Sequence, residues 1–67
     1  MPDAPCAKLT AREQEVLKLI GHGKSSKEIA ADLGMSVQTV ANHRKRICSK
    51  LELHSTAALV AYAARRV

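Results

Sequence analysis

The chain has 67 residues, a formal net charge of +5 at pH 7 and a sequence pI of about 9.7. Such a length forms one small domain, whose limited core leaves little room for an elaborate enzyme pocket. The positive charge favours a polyanionic partner, either nucleic acid or an anionic membrane surface. No apolar run approaches the roughly 20 residues that span a bilayer, and the start lacks the apolar core of a signal peptide. The sequence therefore predicts a soluble, cytoplasmic protein.

The first eight residues, MPDAPCAK, carry both prolines of the chain. Because proline interrupts helices and the segment has little apolar surface to bury, we expect a flexible linker or a cloning remnant at residues 1–8. Order should begin near Leu9. A single folded domain is therefore expected from residue 9 to residue 67.

The cysteine and histidine spacing indicates no metal site, cofactor or catalytic centre. Cys6 lies in the polar start and Cys48 in a helical pattern, so both are expected to be free thiols. No carboxylate or cysteine neighbours a histidine at metal-binding or triad spacing; the histidines are His22, His43 and His54. An enzyme is therefore the function class with the least support.

Four helices are predicted, with no convincing strand. Two of them open with a capping box, in which a hydroxyl residue and a glutamate three residues later satisfy each other's backbone N–H groups; the pairs are Thr10 with Glu13 and Ser25 with Glu28. A serine, Ser36 or Ser55, precedes each of the other two. The predicted spans are Ala11 to about Gly21, a short helix after Ser25 that Gly34 ends, residues 37 to about Leu51, and Thr56 to about Arg65.

The join between the second and third helices has the spacing of a helix-turn-helix. Ala30 is small enough for two helices to cross closely, and Gly34 four residues later suits a tight turn. Val40, six residues beyond, can plug the crossing. We therefore predict an all-α, compact four-helix domain with a central helix-turn-helix.

The third helix, projected at about 3.6 residues per turn, has an apolar arc and a polar, cationic arc. The apolar arc, expected in the core, holds Val37, Val40, Ile47, Cys48 and Leu51. The centre of the other arc holds Gln38, Ala41, Asn42, Lys45 and Ser49, and its flanks hold Thr39, His43, Arg46 and Lys50. Asn and Gln can contact adenine, Lys can donate to guanine, and an alanine methyl can touch thymine. Because flanking cations and hydroxyls can reach phosphates, this face suits a DNA major groove.

Arg44 is the misfit of the third helix, since the projection places it on the apolar arc. Burying a guanidinium unpaired would be expensive. We expect its stem to pack there and its guanidinium to pair with Glu13, or failing that with Glu28. The alternative is that the side chain reaches solvent or a phosphate.

Several motifs together resemble one known family. They are LTAREQEVL, GKSSKEIA, SVQTVANHRKRI, the KL at Lys50 and Leu51, and a fourth helix of small residues. In them the chain, from Leu9 to about Val67, resembles the DNA-binding domain of the LuxR/NarL family of bacterial transcription regulators, also called GerE-like. The resemblance implies a four-helix domain that binds double-stranded DNA as a homodimer, usually attached to an amino-terminal receiver or ligand-sensing domain. RNA polymerase is a further candidate partner.

The resemblance also implies roles for individual residues. The family's base-reading positions fall on Ala41, Asn42 and Lys45, sometimes joined by Gln38. Its phosphate contacts fall near Ser26, Lys27, Thr39, His43, Arg46 and Lys50. Many members place a long or cationic residue where Ala41 stands, so one polar base contact is expected to be missing.

The fourth helix is expected to face both the core and a second copy of the chain. Its predicted core residues are Leu59, Val60 and Ala63. On another side, Ala57, Ala61 and Ala64 line up at i, i+4 and i+7. Such small residues permit close helix approach, and the resemblance implies that this helix forms the two-fold contact.

Other functions are also compatible with the sequence. Region four of a sigma factor shares the LTxRE-like opening, the EIA segment and the TV of the third helix, although His43 and the fourth helix favour the regulator. A protein adaptor could use the same helix-turn-helix to engage polymerase or another regulator in place of DNA. A membrane-surface helix is disfavoured, because the apolar arc of the third helix is needed for the core.

Overall fold

The computed structural model describes residues 9–66, which form four helices joined by short turns and, within that range, no strand. The helices are α1 (Ala11–Gly21), α2 (Ser26–Leu33), α3 (Val37–Leu51) and α4 (Thr56–Arg66). The predicted all-α class and helix order are confirmed. None of these helices is long and apolar enough to cross a membrane. The expected linker at residues 1–8, with Cys6, lies outside the described residues.

Both predicted capping boxes are present. The N–H of Thr10 donates to Glu13 Oε1 at 3.0 Å, and the N–H of Glu13 donates to Thr10 Oγ1 at 3.1 Å. Ser25 and Glu28 make the same exchange at 2.8 and 3.2 Å. The two glutamates differ in burial, because Glu13 is 2% exposed whereas Glu28 lies at the surface.

The turn between α2 and α3 has the geometry that the sequence predicted. Gly34 has φ 66° and ψ 39°, the left-handed conformation that costs glycine least. The N–H of Met35 donates to the carbonyl of Ala30 at 3.0 Å and closes the end of α2. Ala30 and Val40 are both buried, so the two helices cross at the expected positions.

The end of α3 uses the same conformation without a glycine. Glu52 has φ 57° and ψ 42°, and its N–H donates to the carbonyls of Cys48 and Ser49. The N–H of Leu53 donates to the carbonyl of Cys48 at 2.8 Å. The left-handed conformation costs a residue with a Cβ about 1–2 kcal/mol, which these capping hydrogen bonds offset.

The core is a single cluster arranged around α1, which packs against each of the other helices. Its buried apolar residues are Leu9, Val16, Leu17, Ile20, Ile29, Ala30, Val40, Ile47, Leu59 and Ala63. Cys48 and Leu51, predicted for the core, are half-buried at its edge.

Two residues predicted for the core are exposed. Val37 is 47% exposed and Val60 is 41% exposed, so both predictions were wrong. Helical periodicity predicts the side of the helix on which a residue lies. It does not show whether a neighbouring helix extends far enough to bury that residue. Val37 lies in the first turn of α3, one turn before the buried Val40, and Val60 lies on the flank of the α4 stripe formed by Leu59 and Ala63.

An ion pair joins the start of α1 to the end of α3. Lys50 Nζ donates to Glu13 Oε1 at 2.7 Å, where the carboxylate is buried and the lysine side chain is 34% exposed. The predicted pairing of Arg44 with Glu13 or Glu28 was wrong. The end of α3 lies at Glu13, so Lys50 takes that carboxylate, and Arg44 makes no ion pair with any described residue. Because Arg44 is only half-buried, its guanidinium group does not require a buried carboxylate.

The ion pair sets the protonation of Glu13. Burial by itself raises the pKa of Glu13, but the hydrogen bond from Lys50 and that from the N–H of Thr10 lower it. The positive charges of Lys50 and His43 act in the same direction, so the pKa of Glu13 lies below its ordinary value. The carboxylate therefore stabilises the fold in its charged form.

Replacing Glu13 by glutamine tests the ion pair while keeping a capping oxygen. Glu13→Gln is expected to lower the free energy of unfolding at neutral pH by about 1–3 kcal/mol, because a hydrogen bond between charged groups is lost. A lowered folded-state pKa gives stability that is complete above the unfolded pKa and is lost as the pH falls through the folded pKa. Urea unfolding at neutral and acid pH should therefore show a smaller acid-induced loss in the variant than in the wild type.

The matched control is Glu28→Gln, which changes the same capping position of α2 at an exposed site without a lysine hydrogen bond. Its free energy of unfolding should stay within about 0.5 kcal/mol of the wild-type value. Equal losses in the two variants would mean that capping, and not Lys50, gives Glu13 its effect.

Candidate nucleic-acid interface

The two sides of α3 differ sharply in burial. Val40 and Ile47 have no exposed surface and fix one side of the helix against the core. Of the residues predicted to contact DNA on the other side, Gln38, Thr39, Asn42, Lys45 and Arg46 are exposed, and Ala41, His43 and Lys50 are half-buried. The structure thus brings all eight to the outward side and edges of one helix that contains no Asp or Glu.

Two of the predicted base-reading residues contact each other. Gln38 Nε2 donates to Asn42 Oδ1 at 3.2 Å, one helical turn apart on the exposed side. An amide oxygen has two lone pairs and an amide nitrogen has two N–H groups. Asn42 can therefore keep this hydrogen bond and still offer both a donor and an acceptor to a base edge.

The first turn of α3 is held by a serine cap. Ser36 Oγ accepts the N–H of Thr39 at 3.1 Å, and the two hydroxyl oxygens lie 2.8 Å apart. The cap restricts the Thr39 hydroxyl. Either hydroxyl can donate in this pair, and Thr39 keeps its proton for another partner when Ser36 is the donor. The exposed Val37 lies beside this cap and presents an apolar side chain that the prediction had assigned to the core.

Two residues of the polar side, Lys50 and His43, lie near the buried carboxylate of Glu13. Lys50 uses one hydrogen bond on Glu13, and an ammonium group has three N–H donors. The charge of His43 also acts on Glu13. His43 Nδ1 is buried and has no hydrogen-bond partner among the described residues. Lys50 can thus contact a further group without leaving its place.

The start of α2 supplies the remaining predicted phosphate residues. Ser26, the first residue of the helix, is half-buried, and Lys27 beside it is exposed. The neighbouring Lys24 pairs with Asp32 at 3.0 Å, and the hydrogen bond and charge of Asp32 raise the pKa of Lys24. Lys27 has no such carboxylate partner within the described part of the chain, so its charge is available.

The predicted dimer residues lie together on the outside of α4. Ala57, Ala61 and Ala64 are all exposed. Val60, three residues after Ala57, was predicted for the core but is exposed beside these alanines, and its side chain enlarges the apolar patch. We call these four residues the α4 patch.

A second feature of α3, a groove between α3 and the start of α4, was not predicted from the sequence. The side chain of Arg44 lies along it, together with residues of the turn at His54 and Ser55. The position of Arg44 on the apolar arc could have indicated this groove, because a guanidinium group on that side must reach either solvent or a binding partner.

Comparison with known proteins gives consistent matches across this fold. Residues 7–63 match the family described as bacterial regulatory proteins, luxR family. The chain is 49% identical over 57 residues to the uncharacterized response regulatory protein YgeK of Escherichia coli (strain K12), covering 85% of this chain and 39% of that protein. No solved structure matches the chain significantly.

Two transcriptional regulatory proteins are similar to the same extent. Identity is 51% over 59 residues to TdiR of Thauera aromatica, covering 88% of this chain and 26% of that protein. It is 47% over 55 residues to MctR of Rhizobium johnstonii, covering 82% of this chain and 26% of that protein. The chain thus spans between about a quarter and two fifths of the length of these relatives. With the helix-turn-helix, the family match over residues 7–63 shows that the chain belongs to the luxR family of bacterial regulatory proteins, which implies DNA-binding transcription regulation.

Proposed function

We propose that the chain binds double-stranded DNA sequence-specifically, with α3 in the major groove. The proposal is based on the two sides of α3: Val40 and Ile47 are fully buried, and the opposite side is polar or cationic apart from Ala41. A helix fixed in this way can enter a groove of about 12 Å without losing its contacts to the core.

The proposed base-reading residues are those at the centre of the exposed side: Gln38, Ala41, Asn42 and Lys45. The amides suit the edge of adenine, the ammonium group suits guanine, and the Ala41 methyl suits the thymine methyl. The proposed phosphate contacts flank them and are Ser26, Lys27, Thr39, His43, Arg46 and Lys50. These contacts would fix the register of α3 on the duplex without reading the sequence.

The burial of His43 indicates how it would contact a phosphate. A neutral imidazole has one N–H donor and one acceptor, and a buried donor without a partner is rare. Since Nδ1 is buried without a described partner, the proton of the neutral ring is best placed on Nε2. An Nε2–H group can donate to a phosphate oxygen.

Replacing His43 by glutamine or by asparagine distinguishes the roles of its two ring nitrogens. The glutamine amide reaches about as far as Nε2, and the asparagine amide about as far as Nδ1. His43→Gln should therefore bind any duplex within about twofold of the wild type, whereas His43→Asn should lose about fivefold, because one hydrogen bond contributes roughly 1 kcal/mol. Fluorescence anisotropy gives the affinities, and thermal unfolding checks that both variants fold. Equal affinity of the two variants would contradict the Nε2 contact.

Base reading by Asn42 and Lys45 predicts a loss confined to the specific duplex. Asn42→Ala and Lys45→Ala should each weaken binding to a duplex selected from a random pool by about 1–3 kcal/mol. Binding to a scrambled duplex should change much less. Lys18→Ala, on the exposed side of α1, is the matched loss of one lysine and should leave the preference intact.

The same titrations, repeated between about 50 and 200 mM salt, test DNA binding itself, because several phosphate contacts give a steep salt dependence. A flat salt dependence of the wild type would favour the protein adaptor. Equal losses on specific and scrambled duplexes would remove Asn42 from the base-reading set.

The α4 patch is proposed to be the two-fold contact of a homodimer formed on DNA. Ala57, Ala61 and Ala64 permit close approach of two helices, and Val60 adds apolar area. Because the patch is small, the free domain should be mostly monomeric and should pair where two half-sites raise the effective concentration. A two-fold pair would place two copies of α3 in successive major grooves, about one helical turn apart.

Ala61→Arg tests this contact directly. The residue is exposed, so the variant should fold, but a cation in the patch should abolish cooperative binding to paired half-sites. Affinity for a single half-site should stay close to the wild-type value. Ala31→Arg on the exposed side of α2 adds the same charge elsewhere and should keep the cooperativity. Gel-shift titration on both duplexes measures the effect, and unchanged cooperativity in folded Ala61→Arg would move the dimer contact off α4.

The longer protein to which this domain corresponds is proposed to carry a receiver or ligand-sensing domain upstream. Support comes from the relatives, which are two and a half to four times longer than the matched segment and include a response regulatory protein. The proposed location is the cytoplasm, where the DNA lies, and RNA polymerase is the proposed further partner. The domain itself is proposed to run from residue 9 to residue 67.

A further inference from the structure

The groove between α3 and the start of α4 has the composition of an anion site. It encloses about 430 Å³ and is open to solvent. Three nitrogen-bearing side chains and three hydroxyl groups line it, from Arg44, Lys45, His54, Ser26, Ser55 and Thr56. No Asp or Glu is among its lining residues. Donors without a competing carboxylate favour an anionic ligand.

Arg44 is the strongest donor in the groove. Its side chain is half-buried, and it makes no hydrogen bond or ion pair with any residue from 9 to 65. A guanidinium group carries five N–H donors in a planar fork that matches two oxygens of a phosphate. The neighbouring Cys48 and Leu59 form the apolar floor, along which the Arg44 stem can lie.

The start of α4, whose residues Ser55 and Thr56 line the groove, has backbone donors to spare. Ser55 Oγ accepts the N–H of Ala58 at 3.0 Å, and the Ser55 carbonyl accepts the N–H of Leu59 at 3.1 Å. The N–H groups of Thr56 and Ala57 therefore have no partner within the helix. The first turn of α4 contains no acidic residue, so no side-chain charge there opposes the helix dipole.

We propose that this groove binds a backbone phosphate of the DNA, a contact that extends the interface from α3 to the start of α4. The proposal rests on the proposed function and adds Arg44, His54, Ser55 and Thr56 to it. Lys45 and Ser26 belong both to the groove and to the proposed DNA contacts, so the groove adjoins the surface on which the duplex would lie. That continuity favours a phosphate of the bound DNA over a free phosphate ion.

Thr56→Glu is the sharpest test because its effects on folding and on binding have opposite signs. A carboxylate in the first turn of α4 should hold or raise the melting temperature through the helix dipole. In the groove it should repel a phosphate. Affinity for a single half-site and for a scrambled duplex should both fall by about fivefold or more at 0.15 M salt, and the salt slope should fall by about one unit. Arg44→Met should give the same losses by removing the guanidinium.

Each variant has a matched control outside the groove. Ala11→Glu adds a carboxylate at the first position of α1, and Lys18→Met removes one cation from the exposed side of that helix. Both controls should keep the wild-type affinity within about twofold and keep the salt slope. Single half-site duplexes are used so that the α4 patch does not contribute.

The outcomes separate the groove from the proposed function. Salt-dependent binding of the wild type, with Thr56→Glu and Arg44→Met indistinguishable from their controls, would overturn the groove alone. Lack of salt-dependent binding by the wild type would overturn the proposed function and the groove together. A third experiment titrates inorganic phosphate at constant ionic strength and follows the amide signals of Ser55 and Thr56. Saturable shifts of these signals, together with unchanged DNA affinity of Thr56→Glu and Arg44→Met, would assign the groove to a free anion and overturn the proposal.

Discussion

The placement of α3 depends on the stripe of the helix that packs against the core, where Cys48 and Leu51 are half-buried at the edge. Val40 and Ile47 are fully buried, and Lys50, three residues further on, donates to the buried carboxylate of Glu13 at 2.7 Å. So small a chain has few other residues with which to hold a helix of 15 residues. Because the stripe is narrow, most of α3 lies outside the core, and its polar side is available as a rigid surface.

Glu13 links this surface to the fold through a single atom. Its Oε1 accepts both the N–H of Thr10, at the start of α1, and the ammonium group of Lys50, at the end of α3. The carboxylate also lies under the cationic side near His43 and offsets part of its charge. The groove around Arg44 has no such carboxylate in its lining. The two ends of the proposed interface therefore differ in their electrostatics, although both carry cations.

Local signals in the sequence were sufficient for the helices and for the turn between α2 and α3. The capping boxes at Thr10 and Ser25 and the left-handed Gly34 depend on residues within a few positions of each other, so the sequence alone predicts them. The end of α3 was also predicted correctly, at about Leu51, although Glu52 adopts the left-handed conformation with no glycine to mark it.

The errors concern contacts between helices. Val37 and Val60 have the periodicity of core residues, but no neighbouring element covers them. Arg44 was predicted to pair with Glu13 because its place on the apolar arc called for a carboxylate, whereas the crossing of α1 and α3 brings Lys50 to that carboxylate. Periodicity predicts the angle of a side chain around its own helix. The residue that it contacts on another helix depends on where the two helices cross, and no local sequence pattern predicts that point. The groove was missed for the same reason, since its residues come from α2, α3 and the start of α4.

The proposed function requires that the exposed side of α3 contacts DNA bases. Nuclear magnetic resonance of the labelled domain, titrated with a duplex selected from a random pool, tests it most directly. The side-chain amide signals of Gln38 and Asn42 and the backbone signals of α3 should shift most, and a scrambled duplex should leave the two side-chain signals nearly unchanged. The exposed side of α1, at Arg12, Glu15 and Lys18, should shift little with either duplex. Shifts centred on α1, or equal shifts of Gln38 and Asn42 with both duplexes, would contradict base reading by α3.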